Sequence, residues 1–189
     1  LSQIPLTTRV WGDETYMEYV GFDQSLEQVA ASSENVIVCK SMSKVYALSG
    51  ARVAYLCSGR HQIEPLRTIT PPWVISMPAQ LAGVYALDDP GYYEARYKET
   101  HILKKTFSSE LSGIGLEVFS GVANFLLCKL PEGGKCAKDI VRTCVIKGVY
   151  IRNVSSMGTS IGGNYLRIAV KNKLDNERIV NTLKTAING

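Results

Sequence analysis

A lysine set among hydroxyls marks the most reactive stretch of this chain: Ser41-Met42-Ser43-Lys44, continuing through Gly50 to Arg52. Serine hydroxyls and the planar fork of an arginine suit a phosphate group. A lysine amine beside such an anion grip suits covalent work on a carbonyl. Taken alone, the segment also reads as a solvated serine–lysine loop. A second cluster upstream, Asp13-Glu14-Thr15-Tyr16, separates the two readings because it adds a carboxylate and a phenol.

Both clusters need elements to bring them together. Val36-Ile37-Val38-Cys39 is a β-branched apolar run behind the polar Ser32-Ser33-Glu34-Asn35, and it reads as a buried strand. Val10-Trp11-Gly12 leads into Asp13 in the same way. Between them, 25–31 carries apolar residues at helical spacing behind Ser25 as N-cap. Strand, helix, strand implies a parallel sheet with helices on its faces. Asp13, Tyr16 and Lys44 then lie at the carboxyl ends of neighbouring strands, where open α/β sheets bind ligands. A phosphate grip, an aldehyde-reactive lysine, a carboxylate and a phenol suit pyridoxal 5′-phosphate, with the carboxylate holding a proton on the pyridine nitrogen.

Further along, Arg52-Val53-Ala54-Tyr55-Leu56-Cys57 is a third strand candidate. Pro71-Pro72 breaks the chain, 79–87 reads as a helix, and Asp88-Asp89-Pro90-Gly91 is strong punctuation. A long amphipathic helix is expected over 92–111, with Tyr93, Tyr97, Ile102, Leu103 and Phe107 as its apolar stripe. Strands over 116–119, 124–130, 149–152 and 165–170 alternate with helices near 135–147 and 175–187. The expected organisation is therefore 1–89 as part of a large cofactor-binding domain and 90–189 as a small α+β domain.

Asp-Glu-x-Tyr followed by Ser-x-Ser-Lys-x-x-x-Leu-x-Gly-x-Arg resembles the fold-type I class I/II aminotransferases. The histidinol-phosphate aminotransferase branch resembles it most, and the threonine-phosphate decarboxylases are similar. The resemblance implies an α/β fold: part of a mixed, largely parallel large-domain sheet followed by a small α+β domain. It also implies that Lys44 bonds the cofactor aldehyde, Asp13 pairs with the pyridine nitrogen and Tyr16 meets the ring's phenolic oxygen. Ser41, Ser43 and Arg52 would hold the phosphate. In the small domain, Arg167 matches the arginine that binds the substrate α-carboxylate, Arg152 the one that touches a distal phosphate, and Asn124 the start of the Asn-Phe strand. The family's Asn-Pro-x-x-Pro-Thr-Gly turn, phosphate-binding helix start and ring-stacking aromatic find no room ahead of Asp13. The chain thus reads as the C-terminal part of such an enzyme.

Composition excludes several other classes. The 189 residues are 46% hydrophobic and 20% charged, too apolar for disorder. The net charge of +4 is scattered, with no basic stripe of the kind nucleic acid requires. No apolar run reaches the ~18 residues of a membrane span, and the start lacks a signal peptide's basic and apolar regions. Five cysteines without a C-x-x-C pair, and only two histidines, argue against a metal site and fit reduced thiols in the cytoplasm. His61 on a loop and His101 on a helix face read as solvated. Gly133-Gly134-Lys135 lacks the preceding glycine of a P-loop, and no G-x-S-x-G elbow occurs.

The expected activity is amino transfer from an amino acid or amino-alcohol phosphate to a 2-oxo acid, in a homodimer. Two rivals stand beside it. One is a decarboxylase or lyase on the same cofactor. The other is a truncated, inactive domain with an exposed sheet edge.

Overall fold

A computed structural model gives the structure, which describes residues 3–158 and 161–189. The chain divides into two compact units, Leu1–Tyr97 and Lys98–Gly189.

The first unit is built on a three-stranded sheet of order β1-β2-β3. β1 (Val10–Asp13) runs parallel to β2 (Val36–Ser41), and α1 (Glu27–Ser32) forms the connection between them. The expected βαβ unit is therefore present. α1 starts later than expected, at Glu27, after a 3-10 turn over Phe22–Gln24. Ser25 still accepts the Glu27 N–H at 3.3 Å, while its own hydroxyl donates to Glu14 at 2.7 Å.

β3 (Ala54–Cys57) runs antiparallel to β2, which makes the sheet mixed. A parallel return needs a crossover of a dozen or more residues, usually helical. Here the chain folds straight back: Met42 N–H donates to Val53 O at 3.1 Å across the base of the intervening loop. α2 (Arg60–Ile69) follows, so His61 stands in a helix rather than on the expected loop, with its Nε2 3.3 Å from a Glu34 carboxylate oxygen.

α3 (Met77–Asp88) is capped by the Ser76 hydroxyl and begins with Pro78 in its first turn. It buries its small residues, Ala79, Gly83 and Ala86. A Cβ on Gly83 would sit 3.3 Å from the Met42 sulfur, so glycine lets this helix approach β2's end closely. Tyr19, Met42, Val45, Tyr46 and Val53 complete the core with Tyr93 and Tyr97 from α4 (Pro90–Gly113). Those two tyrosines are why the division between units falls inside α4 and not at Asp89-Pro90.

The second unit has a four-stranded antiparallel sheet of order β4-β5-β7-β6. Its strands are β4 (Glu117–Phe119), β5 (Phe125–Lys129), β6 (Arg152–Asn153) and β7 (Tyr165–Ala169). Leu126, Cys128, Leu166 and Ile168 alternate inward and pack with α5 (Ala137–Ile146), α6 (Lys173–Asn188) and the Phe107–Leu111 turn of α4.

Two expectations change here. Ile102 is 70% exposed, because the buried line of α4 runs Tyr97, Lys104, Leu111 and leaves Ile102 off it. The strand expected over 149–152 shrinks to Arg152–Asn153. Val149 N–H is used instead to close the end of α5, donating to Cys144 O at 2.9 Å around a left-handed Gly148 (φ 70°).

Candidate active site

Parallel pairing of β1 with β2 sets the first part of the site. Asp13 lies opposite Cys39, two residues short of the Ser41 that ends β2, so both strand ends open on one side of the sheet. Side chains alternate along each strand. Val10, Val36 and Val38 face the core under α1. Asp13, Cys39 and Ser41 therefore share the opposite face, and Glu14 turns back under it.

Asp13 Oδ1 accepts from Thr15 N–H at 3.0 Å and from the Thr15 hydroxyl at 2.6 Å. Its Oδ2 has no hydrogen-bond partner among the described residues. Tyr16 follows, half-buried against the tyrosine cluster.

The chain then leaves β2 through the loop that carries the lysine. The Ser41 hydroxyl donates to Ser43 Oγ at 3.0 Å, so the two hydroxyls converge. Lys44 is exposed, and its amine makes no hydrogen bond or ion pair among the described residues. Leu48 N–H returns to Met42 O at 3.0 Å, and the loop closes with Met42 on Val53. Ala47 and Arg52 adopt left-handed conformations (φ 56° and 55°), rare for residues with a side chain and frequent near working sites. The exposed Arg52 guanidinium donates to Ser49 O at 3.1 Å, which braces the loop. The residues thus offer two adjacent hydroxyls, an exposed guanidinium, an unpartnered amine and a carboxylate with one free oxygen. That donor set fits a phosphorylated aldehyde with a basic ring nitrogen.

A group that composition and motif had not singled out lies directly beneath. Lys40 is 2% exposed, with its Nζ 3.1 Å from Glu18 Oε1, 3.4 Å from Glu14 Oε2 and 3.5 Å from Glu27 Oε2. Burial alone would lower this amine, but the Glu18, Glu27 and Glu14 carboxylates outweigh it and hold it above the ordinary lysine value. Strand alternation was the available signal: Val36, Val38 and Lys40 are on one face, so a lysine had to be buried with partners.

The second unit holds the other expected residues. Arg152 of β6 lies directly opposite Arg167 of β7, and antiparallel partners share a face. Phe125, diagonal to Arg167 on β5, is on that face too, with the Arg167 guanidinium carbon 4.9 Å from its ring centre. Arg152 is exposed and unpaired among the described residues. Asn124 is tied by its carbonyl to Val170 N–H at 2.9 Å, while its side chain stays unpartnered among the described residues. The buried Lys104 sets the approach to it, donating to Gly121 O at 2.5 Å and Ala123 O at 2.6 Å.

Known proteins share this fold. Histidinol-phosphate aminotransferase from Sinorhizobium meliloti, solved in complex with pyridoxal 5′-phosphate, has the same fold, with a TM-score of 0.84 at 23% identity over 97% of this chain and 50% of that one. A decarboxylase from Sulfurospirillum multivorans matches with a TM-score of 0.82 at 25% identity, over 95% of this chain and 53% of that one. In sequence, histidinol-phosphate aminotransferase 1 of Caulobacter vibrioides is 32% identical over 180 residues, 90% of this chain and 48% of that protein. The fold is that of the fold-type I enzymes dependent on pyridoxal 5′-phosphate. Residues 7–183 match the aminotransferase class I and II model, and the chain belongs to that family. It spans about half the length of the curated relatives it matches.

Proposed function

We propose that this chain carries the lysine-bearing part and small α+β part of a pyridoxal 5′-phosphate-dependent aminotransferase of the histidinol-phosphate type. The working molecule is a cytoplasmic homodimer that moves an amino group from an amino acid or amino-alcohol phosphate to a 2-oxo acid. The observation that carries this reading is the unpartnered Lys44 amine on a closed loop beside the Ser41–Ser43 hydroxyl pair, on the side of the sheet where Asp13 ends β1.

Bound there, the cofactor supplies an electron sink for charge developing on the substrate Cα. Asp13 holds a proton on the ring nitrogen through its free oxygen, and Tyr16 donates to the phenolic oxygen. Ser41, Ser43 and Arg52 grip the phosphate. Lys44 would hold the aldehyde carbon through its amine, and the same amine, when free, would be placed to take a proton from the substrate Cα as general base. Arg167 pairs with the α-carboxylate, steadied over the Phe125 ring, and Asn124 lines its approach. Arg152 takes a distal phosphate.

Borohydride reduction of the purified protein with added pyridoxal 5′-phosphate, followed by peptide mass mapping, tests this. The adduct is expected on Lys44 and is expected to vanish in Lys44→Ala. An undiminished adduct in that variant overturns the reading.

The Sulfurospirillum neighbour favours one second reading, a decarboxylase on the same cofactor. Carbon dioxide released from threonine phosphate without a keto product would select it.

A further inference from the structure

The segment Asp13–Glu18 carries two expected cofactor contacts, Asp13 and Tyr16, and it is clamped at two other points by one amine. Glu14 and Glu18 both meet Lys40 Nζ, at 3.4 and 3.1 Å. Glu14 is held further by the Ser25 hydroxyl and Leu26 N–H, both at 2.7 Å. Glu27 brings α1 to the same amine, and its other oxygen accepts the Tyr55 hydroxyl of β3 at 2.7 Å. One lysine thus ties together the end of β1, the 3-10 turn at Met17–Tyr19, α1, β2 and, through Glu27, β3. Met17 N–H closes the turn onto Glu14 O at 3.0 Å, so Tyr16 sits inside a backbone loop fixed at both ends.

We propose that Lys40 is a positioning residue for the cofactor: by holding Glu14 and Glu18 beneath the sheet it fixes where Asp13 and Tyr16 stand above it. The inference rests on the proposed function. Its physical content is backbone continuity. Glu14 directly follows the last residue of β1 and its N–H donates to Cys39 O at 3.0 Å, so its side chain cannot leave Lys40 without disturbing the backbone that aims Asp13. The arrangement depends on charge, since three carboxylates without Lys40 would be buried or half-buried and uncompensated.

Lys40→Met, Lys40→Arg and Glu18→Gln in the purified protein test it, with circular dichroism reporting the fold. The readouts are the dissociation constant for pyridoxal 5′-phosphate, the pH at which the bound chromophore changes its absorbance, and the reduced adduct on Lys44. Losing one hydrogen bond to a charged group costs about tenfold or more in binding, so affinity should fall at least about tenfold in Lys40→Met. The chromophore's pH midpoint should move, the adduct should still form on Lys44, and Lys40→Arg should restore both affinity and midpoint. Glu18→Gln keeps the shape and removes one charge. It should show the same shift in weaker form, and it decides the matter if Lys40→Met does not fold. Wild-type affinity and midpoint in a folded Lys40→Met or Glu18→Gln protein overturn the positioning role alone. Absence of any Lys44 adduct in the unaltered protein overturns the proposed function, and this inference with it.

Discussion

Asp13 and Glu14 are chemically similar neighbours with different surroundings: Asp13 ends β1 with only Thr15 on its carboxylate among the described residues, while Glu14, just past the strand, meets the buried Lys40 amine. Asp13, Ser41 and Ser43 are singled out by type and spacing, and the structure places Asp13 at the end of β1 and the two serine hydroxyls in contact at the end of its neighbour β2. Lys40 was not legible from type and spacing: a lysine at the end of an apolar strand acquires meaning only when Glu14, Glu18 and Glu27, up to 26 positions away, arrive within 3.5 Å. Arg52 lay between these cases, since its type pointed to phosphate while its contact with Ser49 O depends on a left-handed backbone. At this scale the arginine pair of the second unit yields a prediction. Arg152 is exposed and unpaired among the described residues, so Arg152→Ala should leave folding intact. It should raise KM for phosphorylated amino substrates about tenfold or more, the worth of a charge-assisted contact, and spare unphosphorylated ones. Steady-state kinetics on both substrate kinds checks this, and an equal effect on both removes the distal-phosphate role.

Elements were read well where a local sequence signal ruled them and less well where backbone groups had competing uses. β2, α3 and α4 appear near their expected places because a β-branched apolar run marks β2, the breaks at Pro71-Pro72 and Asp88-Asp89-Pro90-Gly91 set off α3, and no further breaker interrupts α4. β6 fell short because Val149 N–H was taken by the end of α5. The direction of β3, which the sequence left open, is antiparallel to β2 because no helix intervenes to carry the chain back. The packing of the first unit's elements also carries a pH dependence. Burial raises the phenols of Tyr46, Tyr55, Tyr93 and Tyr97, helped by nearby carboxylates and by one another, while carboxylates hold Lys40 above its ordinary value. In the unfolded chain the phenols release protons near 10.0 and the amine near 10.5, before the folded forms do. The unfolded state then binds fewer protons, so stability falls as pH rises. The contribution of Lys40 is complete below 10.5 and is lost as pH climbs through its raised folded value. The urea midpoint of the first unit, followed by fluorescence of Trp11 and Trp73, is expected to drop between pH 8 and pH 11. An unchanged midpoint would remove the buried cluster's electrostatic role.

For the molecule as a whole, α3 is an inverted helix. Its small residues are buried, while Met77, Leu81, Val84 and Tyr85 stand 50–71% exposed along one side. Trp73 and Val74, just before it, are 91% and 61% exposed. A helix apolar on all sides belongs in an interior, and an exposed apolar stripe drives association. Sequence pattern could identify the helix and not its surroundings, since small and large apolar residues count alike in a hydropathy period. The 189-residue chain by itself is expected to associate with rising concentration in light scattering, and Leu81→Lys with Tyr85→Lys to suppress that. A monodisperse monomer at every concentration would show that this face tolerates water. Among the described residues no helix is long and apolar enough to cross a membrane.

The alternation in β1 has a consequence for how this protein can change over generations. A deletion of one residue inside Val10–Gly12 would keep both acidic side chains of the Asp13-Glu14 pair in the chain. Yet it would flip the strand's faces, pointing Glu14 to where Asp13 stood and withdrawing a carboxylate from the buried amine. Composition would be almost untouched while chemistry and folding failed together. The loop after Ser41 is held to a fixed count for a different reason: Met42 N–H is tied to Val53 O and Leu48 N–H to Met42 O, and the proposed roles of Ser43, Lys44 and Arg52 need that spacing. Lineages should therefore keep the count of residues fixed both in β1 and from Ser41 to Arg52.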